Sequence, residues 1–315
     1  MNSVPTLEEI KLAAEKIRHY AFQTPVLTSQ TFNKWTGANL FFKTENFQKG
    51  GAFKFRGACN TVLSLTDDEK EMGVTTHSSG NHAQALALVS KMAGMKAYIV
   101  MPSTAPKVKK NAVLGYGAEV IECEPTLQAR EDNVKKVMEE KGAVLVHPFN
   151  DYRIIAGQAT CALEFINEVG NLEIMLAPVG GGGLLAGTCL SCHYSSDKLE
   201  VIAGEPEGAN DAFLSLQKGE IIPSINPQTI ADGLLTSLGD KTFPIIQKHV
   251  KEIITVSDKE ILDAMKKVWE RMKIIIEPSS AVPVAAVLKY PEKFRGKNVG
   301  IILSGGNVDL DTIRF

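Results

Sequence analysis

The chain has 315 residues, 34 of them Lys or Arg and 36 Asp or Glu, for a formal net charge of −2. That length accommodates two lobes or one large α/β unit around an ample core, and the near balance of charge gives no general reason to expect nucleic acid or an anionic membrane as partner. No apolar run reaches the ~18–20 residues of a membrane span, and Met1-Asn2-Ser3-Val4-Pro5 lacks a basic region followed by an apolar stretch, so a cytoplasmic enzyme with a small-molecule partner is expected.

Along the chain, Thr6 and Glu9 form a capping box ahead of Leu7, Ile10, Ala14 and Ile17, which recur at helical spacing. Thr24-Pro25-Val26-Leu27 reads as extended and Leu40–Lys43 as a strand. It leads to Gly51-Ala52-Phe53-Lys54-Phe55-Arg56-Gly57, where a lysine sits between two phenylalanines at a loop-to-helix junction. From Val74 to Val146 the pattern alternates. Strands are expected at Val74–Thr76, Ala97–Met101, Glu119–Cys123 and Val144–Val146, with helices over Asn81–Ala93, from Pro106, and over Thr126–Lys141.

A helix over Ile155–Glu168 then opens a second series. Its strands are Ile174–Ala177, Leu199–Ala203, Ile253–Val256 and Val299–Leu303; its helices are Asp258–Met272, behind a Ser257/Glu260 capping box, and Ser279–Leu288. No solenoid repeat or low-complexity linker interrupts the pattern. The expected fold is therefore α/β, with two doubly wound parallel-sheet lobes. The smaller, mobile lobe (72–147) is inserted in the larger (1–71 and 148–315), with the site in the cleft at the strands' C-terminal ends.

Five scattered cysteines, an odd number, point to reduced thiols rather than a disulfide framework. Cys189 and Cys192 form a C-x-x-C, but with no second ligand pair or redox context they read as small residues on a packed helix.

Four stretches at strand ends carry chemistry. In the first, Gly180, Gly181, Gly182 and Gly183 join a strand to a helix through bare backbone, so that peptide N–H groups and the helix dipole can cradle a phosphate. The same residues satisfy a G-x-G-x-x-A pattern through Gly181, Gly183 and Ala186, with Glu205 at the next strand end, so a dinucleotide competes. The second, Ser78-Ser79-Gly80-Asn81-His82, is a small polar turn opening a helix and suited to a carboxylate. Ser304-Gly305-Gly306-Asn307 delivers one hydroxyl beside two glycines. At Lys54, Phe53 and Phe55 would lower local polarity and Arg56 would add a second positive charge; both favour the neutral amine that attacks carbonyls. Pyridoxal phosphate with an amino-acid substrate would use all four stretches, whereas a dinucleotide would leave Lys54 and the serine turn idle.

On these segments the chain resembles fold-type II pyridoxal-phosphate enzymes, and within them serine racemases and serine/threonine dehydratases, over essentially its whole length. The resemblance implies that Lys54 forms the covalent link to the cofactor aldehyde. Phe53 lies against the ring, Gly180–Gly183 hold the phosphate, Asn81 bonds the ring hydroxyl and Ser304 faces the ring nitrogen. Ser78, Ser79, Asn81 and His82 would receive the substrate carboxylate. Racemisation of serine and β-elimination of water to pyruvate and ammonia are both implied, with Ser79 as the acid/base opposite Lys54. Ala83 stands where mammalian serine racemases have Gly, and Phe149 resembles dehydratases rather than mammalian racemases. This keeps open an L-threonine or 3-hydroxyaspartate dehydratase without significant racemase activity; from another class, a regulatory binding protein on the same fold is the rival.

The resemblance further implies Mg2+, or Ca2+ or Mn2+, at Glu205, the Ala209 carbonyl and Asp211, hard oxygen donors suited to such ions. It also implies a homodimer, leaves room for a nucleotide effector at the dimer interface, and matches Asp232-Gly233 to a segment near the substrate. Because the chain ends at Phe315, soon after the last core strand, feedback through an appended regulatory domain is not expected.

Overall fold

The computed structural model describes residues 3–105, 107–311 and 313. Helix α1 (Leu7–Ile17) starts at the expected capping box, with Thr6 accepting from the Glu9 amide, and buries Ile10, Ala13 and Ile17. Strand β1 (Val26–Thr28), α2 (Gln30–Thr36) and β2 (Asn39–Thr44) lead to α3 (Lys54–Val62) and α4 (Asp67–Met72). The α4 helix escaped the sequence reading although Thr66 and Glu69 make a second capping box.

The expected alternation then follows: β3 (Val74–His77), α5 (Asn81–Met92), β4 (Ala97–Pro102), α6 (Lys107–Gly115), β5 (Glu119–Cys123), α7 (Leu127–Lys141) and β6 (Val144–Leu145). The expected helix start at Pro106 lies outside the described residues. The second series comprises α8 (Tyr152–Val169), β7 (Ile174–Pro178), α9 (Gly183–Ser195), β8 (Glu200–Pro206), α10 (Asp211–Lys218), α11 (Thr242–His249), β9 (Val250–Val256), α12 (Asp258–Met272), α13 (Pro278–Lys289) and β10 (Asn298–Leu303).

Two sheets result, in the orders β1-β2-β10-β7-β8-β9 and β5-β4-β3-β6. All pairings are parallel except β1 with β2. That antiparallel strand adds an edge to the expected parallel-sheet lobe. The connection over 29–38 is shorter than the dozen or so residues a parallel crossover needs. Apolar layers cover both faces of each sheet, as parallel strands require. The layer on one face of the four-stranded sheet recruits Phe55, Ala58, Cys59 and Val62 from α3 and Ile154 from α8, so α3 is wedged between the two lobes. Among the described residues no helix is long and apolar enough to cross a membrane.

Candidate active site

Lys54 opens α3, and its Nζ donates to the Pro148 carbonyl at 2.9 Å while standing 5.2 Å from the centre of the Phe53 ring. Burial lowers its pKa to about 8, and the Glu277 carboxylate limits the fall. The sequence reading credited Phe55 and Arg56 as well, and the structure corrects this. Consecutive helical side chains diverge by about 100°, so Phe55 enters the core of the smaller lobe. Arg56 turns instead into a buried network with Glu45, at 2.8 Å, and Glu164, at 3.0 Å. Desolvation, not a second cation, lowers the lysine.

The glycine run bridges β7 and α9 and is wholly buried. Gly182 has φ +86°, a conformation that disfavours any side chain, and a Cβ on Gly181 would lie 2.3 Å from the Phe149 ring. The amides of Gly180, Gly181 and Gly182 donate to no protein acceptor among the described residues. Buried donors without partners, at the positive end of a helix, fit a phosphate.

The dinucleotide reading also needed Glu205 as a free acceptor, and it is not free. Its Oε1 and Oε2 accept from the Ala212 and Phe213 amides, each at 2.8 Å.

The serine turn follows β3. Ser78 Oγ accepts from the Gly80 amide at 3.3 Å, and Ser79 is half-buried. His82 is buried, with Nε2 3.0 Å from the Val146 carbonyl. A carbonyl only accepts, so the proton sits on Nε2 and leaves Nδ1 a buried acceptor without a partner among the described residues. Burial and the nearby Lys54 charge push the pKa down to about 3. The His82 ring therefore has no proton for a substrate carboxylate, whereas its main-chain amide, in the first turn of α5, can donate one.

Ser304 follows β10; it is buried, and its carbonyl accepts from the Phe53 amide at 3.0 Å. Asn81 donates from Nδ2 to Glu277 Oε1 at 2.8 Å and accepts at Oδ1 from Asn307 Nδ2 at 3.0 Å. Lys54, Asn81, Ser304 and the glycine loop thus converge from α3, α5, the end of β10 and the start of α9.

Two contributors went unread. Glu277 caps α13 and is 4 % exposed; burial and the Asp232 carboxylate raise it to about 8. Its one sequence signal was an acid ending the apolar run Ile274-Ile275-Ile276 ahead of Pro278. His147 Nδ1 accepts from the Asn150 and Phe149 amides, at 2.9 and 3.3 Å, and so holds the turn that supplies both Pro148 and Phe149.

The expected metal ligands lie on β8 and at the start of α10. Glu205 and Asp211 are buried; among the described residues neither oxygen of Asp211 makes a close hydrogen bond, although the Ser224 side chain and the Leu238 backbone lie near enough to restrain its rise in pKa. Burial raises Glu205 to about 8 and Asp211 to about 6, and the Asp211 charge adds to the rise at Glu205. Two neighbouring buried carboxyls, one of them uncommitted, fit a hard divalent ion completed by carbonyl and water oxygens. Among the described residues, no set of three or more His, Cys, Asp or Glu side chains forms a closed cage.

Comparison with known proteins agrees with this geometry. The family model described as "Pyridoxal-phosphate dependent enzyme" matches residues 17–305. Serine racemase of Dictyostelium discoideum is 52% identical over 312 residues, covering 98% of this chain and 96% of that one. The β-hydroxyaspartate dehydratase of Paracoccus denitrificans (strain Pd 1222) is 50% identical over 310 residues, covering 98% of each. The crystal structure of the Dictyostelium racemase superposes with a TM-score of 0.93 over 97% of this chain and 99% of that one. The chain belongs to the pyridoxal-phosphate-dependent enzymes.

Proposed function

We propose that the protein racemises serine and dehydrates it to pyruvate and ammonia. The observation that carries this reading is Lys54, an amine held near pKa 8 by burial and close enough for its charge to act on His82 in the serine turn. Pyridoxal phosphate, when bound, supplies the electron sink that makes loss of the Cα proton feasible. The chain's residues do the rest. The glycine amides would hold the phosphate, and Phe53 would support the ring. The neutral hydroxyl of Ser304 would meet the ring nitrogen, and the Ser78–His82 turn would receive the carboxylate through its hydroxyls and amides. Lys54 Nζ takes the Cα proton on one face; Ser79 Oγ returns one on the other, giving the mirror-image amino acid. Where the β-hydroxyl leaves first, it takes up a proton and departs as water, and the enamine released hydrolyses to the keto acid and ammonia.

The test is to incubate the enzyme with L-serine, D-serine, L-threonine and 3-hydroxyaspartate, measuring keto acid and enantiomer for each. Ser79→Ala should cut L-serine racemisation by about 10²–10⁴-fold while sparing part of the dehydration; equal loss of both would contradict the two-face assignment. A β-hydroxyaspartate dehydratase is the second reading, favoured by the 50% identity to the Paracoccus enzyme. Keto acid from 3-hydroxyaspartate without enantiomer from serine would select it.

The reading includes Mg2+, or Ca2+ or Mn2+, at Glu205, Ala209 and Asp211, a homodimer with room for a nucleotide effector at its interface, a cytoplasmic location, and a lobe of residues 72–147 that moves over the substrate. For the metal, Mg2+ should raise the melting temperature of the wild-type protein by several degrees, as binding to the folded state does, and leave Asp211→Asn unmoved. An equal shift in both would place the ion elsewhere.

A further inference from the structure

Asn81 is a symmetric-looking amide on which a chemical distinction depends, because its two ends offer a donor and an acceptor. The structure leaves no freedom in the choice. Asn307 Nδ2 donates to the Gly50 carbonyl at 2.7 Å, and a carbonyl fixes which end of Asn307 must be nitrogen. The second proton of that same nitrogen goes to Asn81 Oδ1 at 3.0 Å. Asn81 Nδ2 is thereby turned to Glu277 Oε1, at 2.8 Å. With Oδ1 and one N–H committed, the second N–H of Asn81 is what remains.

Flipping Asn81 would set N–H against N–H at Asn307, whose own orientation the Gly50 carbonyl fixes. The Asn307 end thus sets the choice, and Glu277 takes the N–H that this choice turns toward it. Burial, together with Asp232, raises Glu277 to about 8, and its Oε1 is the oxygen that faces Asn81 Nδ2. The partners lie 196 and 226 residues from Asn81, on the side of the larger sheet, whereas Asn81 opens a helix of the smaller one.

We propose that Glu277 and Asn307 are positioning residues that lock the Asn81 amide with one N–H free, committing it to donate to the ring oxygen of the cofactor. This deepens the functional reading and rests on its assignment of Asn81 to that oxygen.

The experiment titrates pyridoxal phosphate into the apo-proteins of Glu277→Ala, Glu277→Gln, Asn307→Ala and Asn81→Ala, alone and combined, following cofactor affinity and the absorbance maximum of the bound cofactor. Glu277→Ala and Asn307→Ala should each weaken binding about tenfold, the worth of one well-placed hydrogen bond, and move the maximum the same way as Asn81→Ala. In an Asn81→Ala background Asn307→Ala should add no further loss, and Glu277→Ala should add only the change that follows from its charge beside Lys54. Glu277→Gln, which keeps an acceptor at the same reach, should stay within about twofold of the wild type.

Full additivity with Asn81→Ala, or Glu277→Gln falling with Glu277→Ala, would overturn the proposal. Should Glu277→Ala not fold, Asn307→Ala and Glu277→Gln carry the same decision. Because the readout is cofactor binding, it stands apart from the functional reading: a wild type that turns over none of the four substrates would sink that reading and leave the amide test intact.

Discussion

Lys54→Ala should abolish racemisation and dehydration together, lowering kcat by about 10⁴-fold or more, and the purified variant should lose the absorbance of covalently held cofactor. Both reactions begin with the same proton removal, so no substrate should escape. The amine also has to be neutral to capture the cofactor aldehyde. Since burial lowers its pKa to about 8 from the usual 10.5, the neutral fraction grows as pH rises. The rate at which wild-type apo-protein takes up cofactor should therefore climb to about pH 8 and level off above it, two units or more below the behaviour of an ordinary lysine. A variant that keeps both its colour and its turnover would dismiss Lys54 from the chemistry.

Arg56→Ala should be the most damaging change to stability. Arg56 Nε and Nη2 grip the two oxygens of Glu45 at 2.8 Å each, and Nη1 reaches Glu164 at 3.0 Å. Thr24 and Lys43 complete the cluster, at 2.6 Å from Glu45 and Glu164 respectively. Burial alone would raise the Glu45 pKa, but Arg56 outweighs it and holds the carboxyl below its usual range. Removing the guanidinium leaves a carboxylate fully buried without its partner, at a cost of about 3–5 kcal/mol, readable as a fall in the urea midpoint at constant slope.

The depressed Glu45 contributes stability above its unfolded pKa and loses it as pH falls through the folded one, so the gap between variant and wild type should narrow below about pH 4. Replacing Glu45 and Arg56 together with apolar residues of similar volume should recover much of the loss. A midpoint unchanged by Arg56→Ala would show the cluster to be inert.

What the sequence disclosed was whatever is written in consecutive residues. The capping boxes at Thr6 and Ser257, the strands around the glycine run and the turn after β3 all depend on neighbours a few positions apart, and they stand where they were expected. Arg56 shows the limit. Beside Lys54 in the chain it looked like an electrostatic neighbour, yet one helical step turned it toward Glu45 and Glu164. Glu277 shows the same limit from the other side: nothing local marks it, because its role arises from Asn81, 196 residues away. The tautomer of His82 was equally hidden, being set by the Val146 carbonyl across the lobe. The antiparallel β1 followed from connection length and was overlooked.

The three glycine amides that lack an acceptor bear on how long the protein survives. A buried N–H left unbonded costs about 1–3 kcal/mol, so the loop is a local deficit that a bound anion relieves. Cofactor at a hundred times its dissociation constant adds about 2.7 kcal/mol to the folded state, a large share of the ~5–15 kcal/mol that keeps a domain folded. Cofactor supply would then govern the amount of enzyme as well as its occupancy: starved of cofactor, the chain opens more often and is degraded sooner, so that abundance falls with activity.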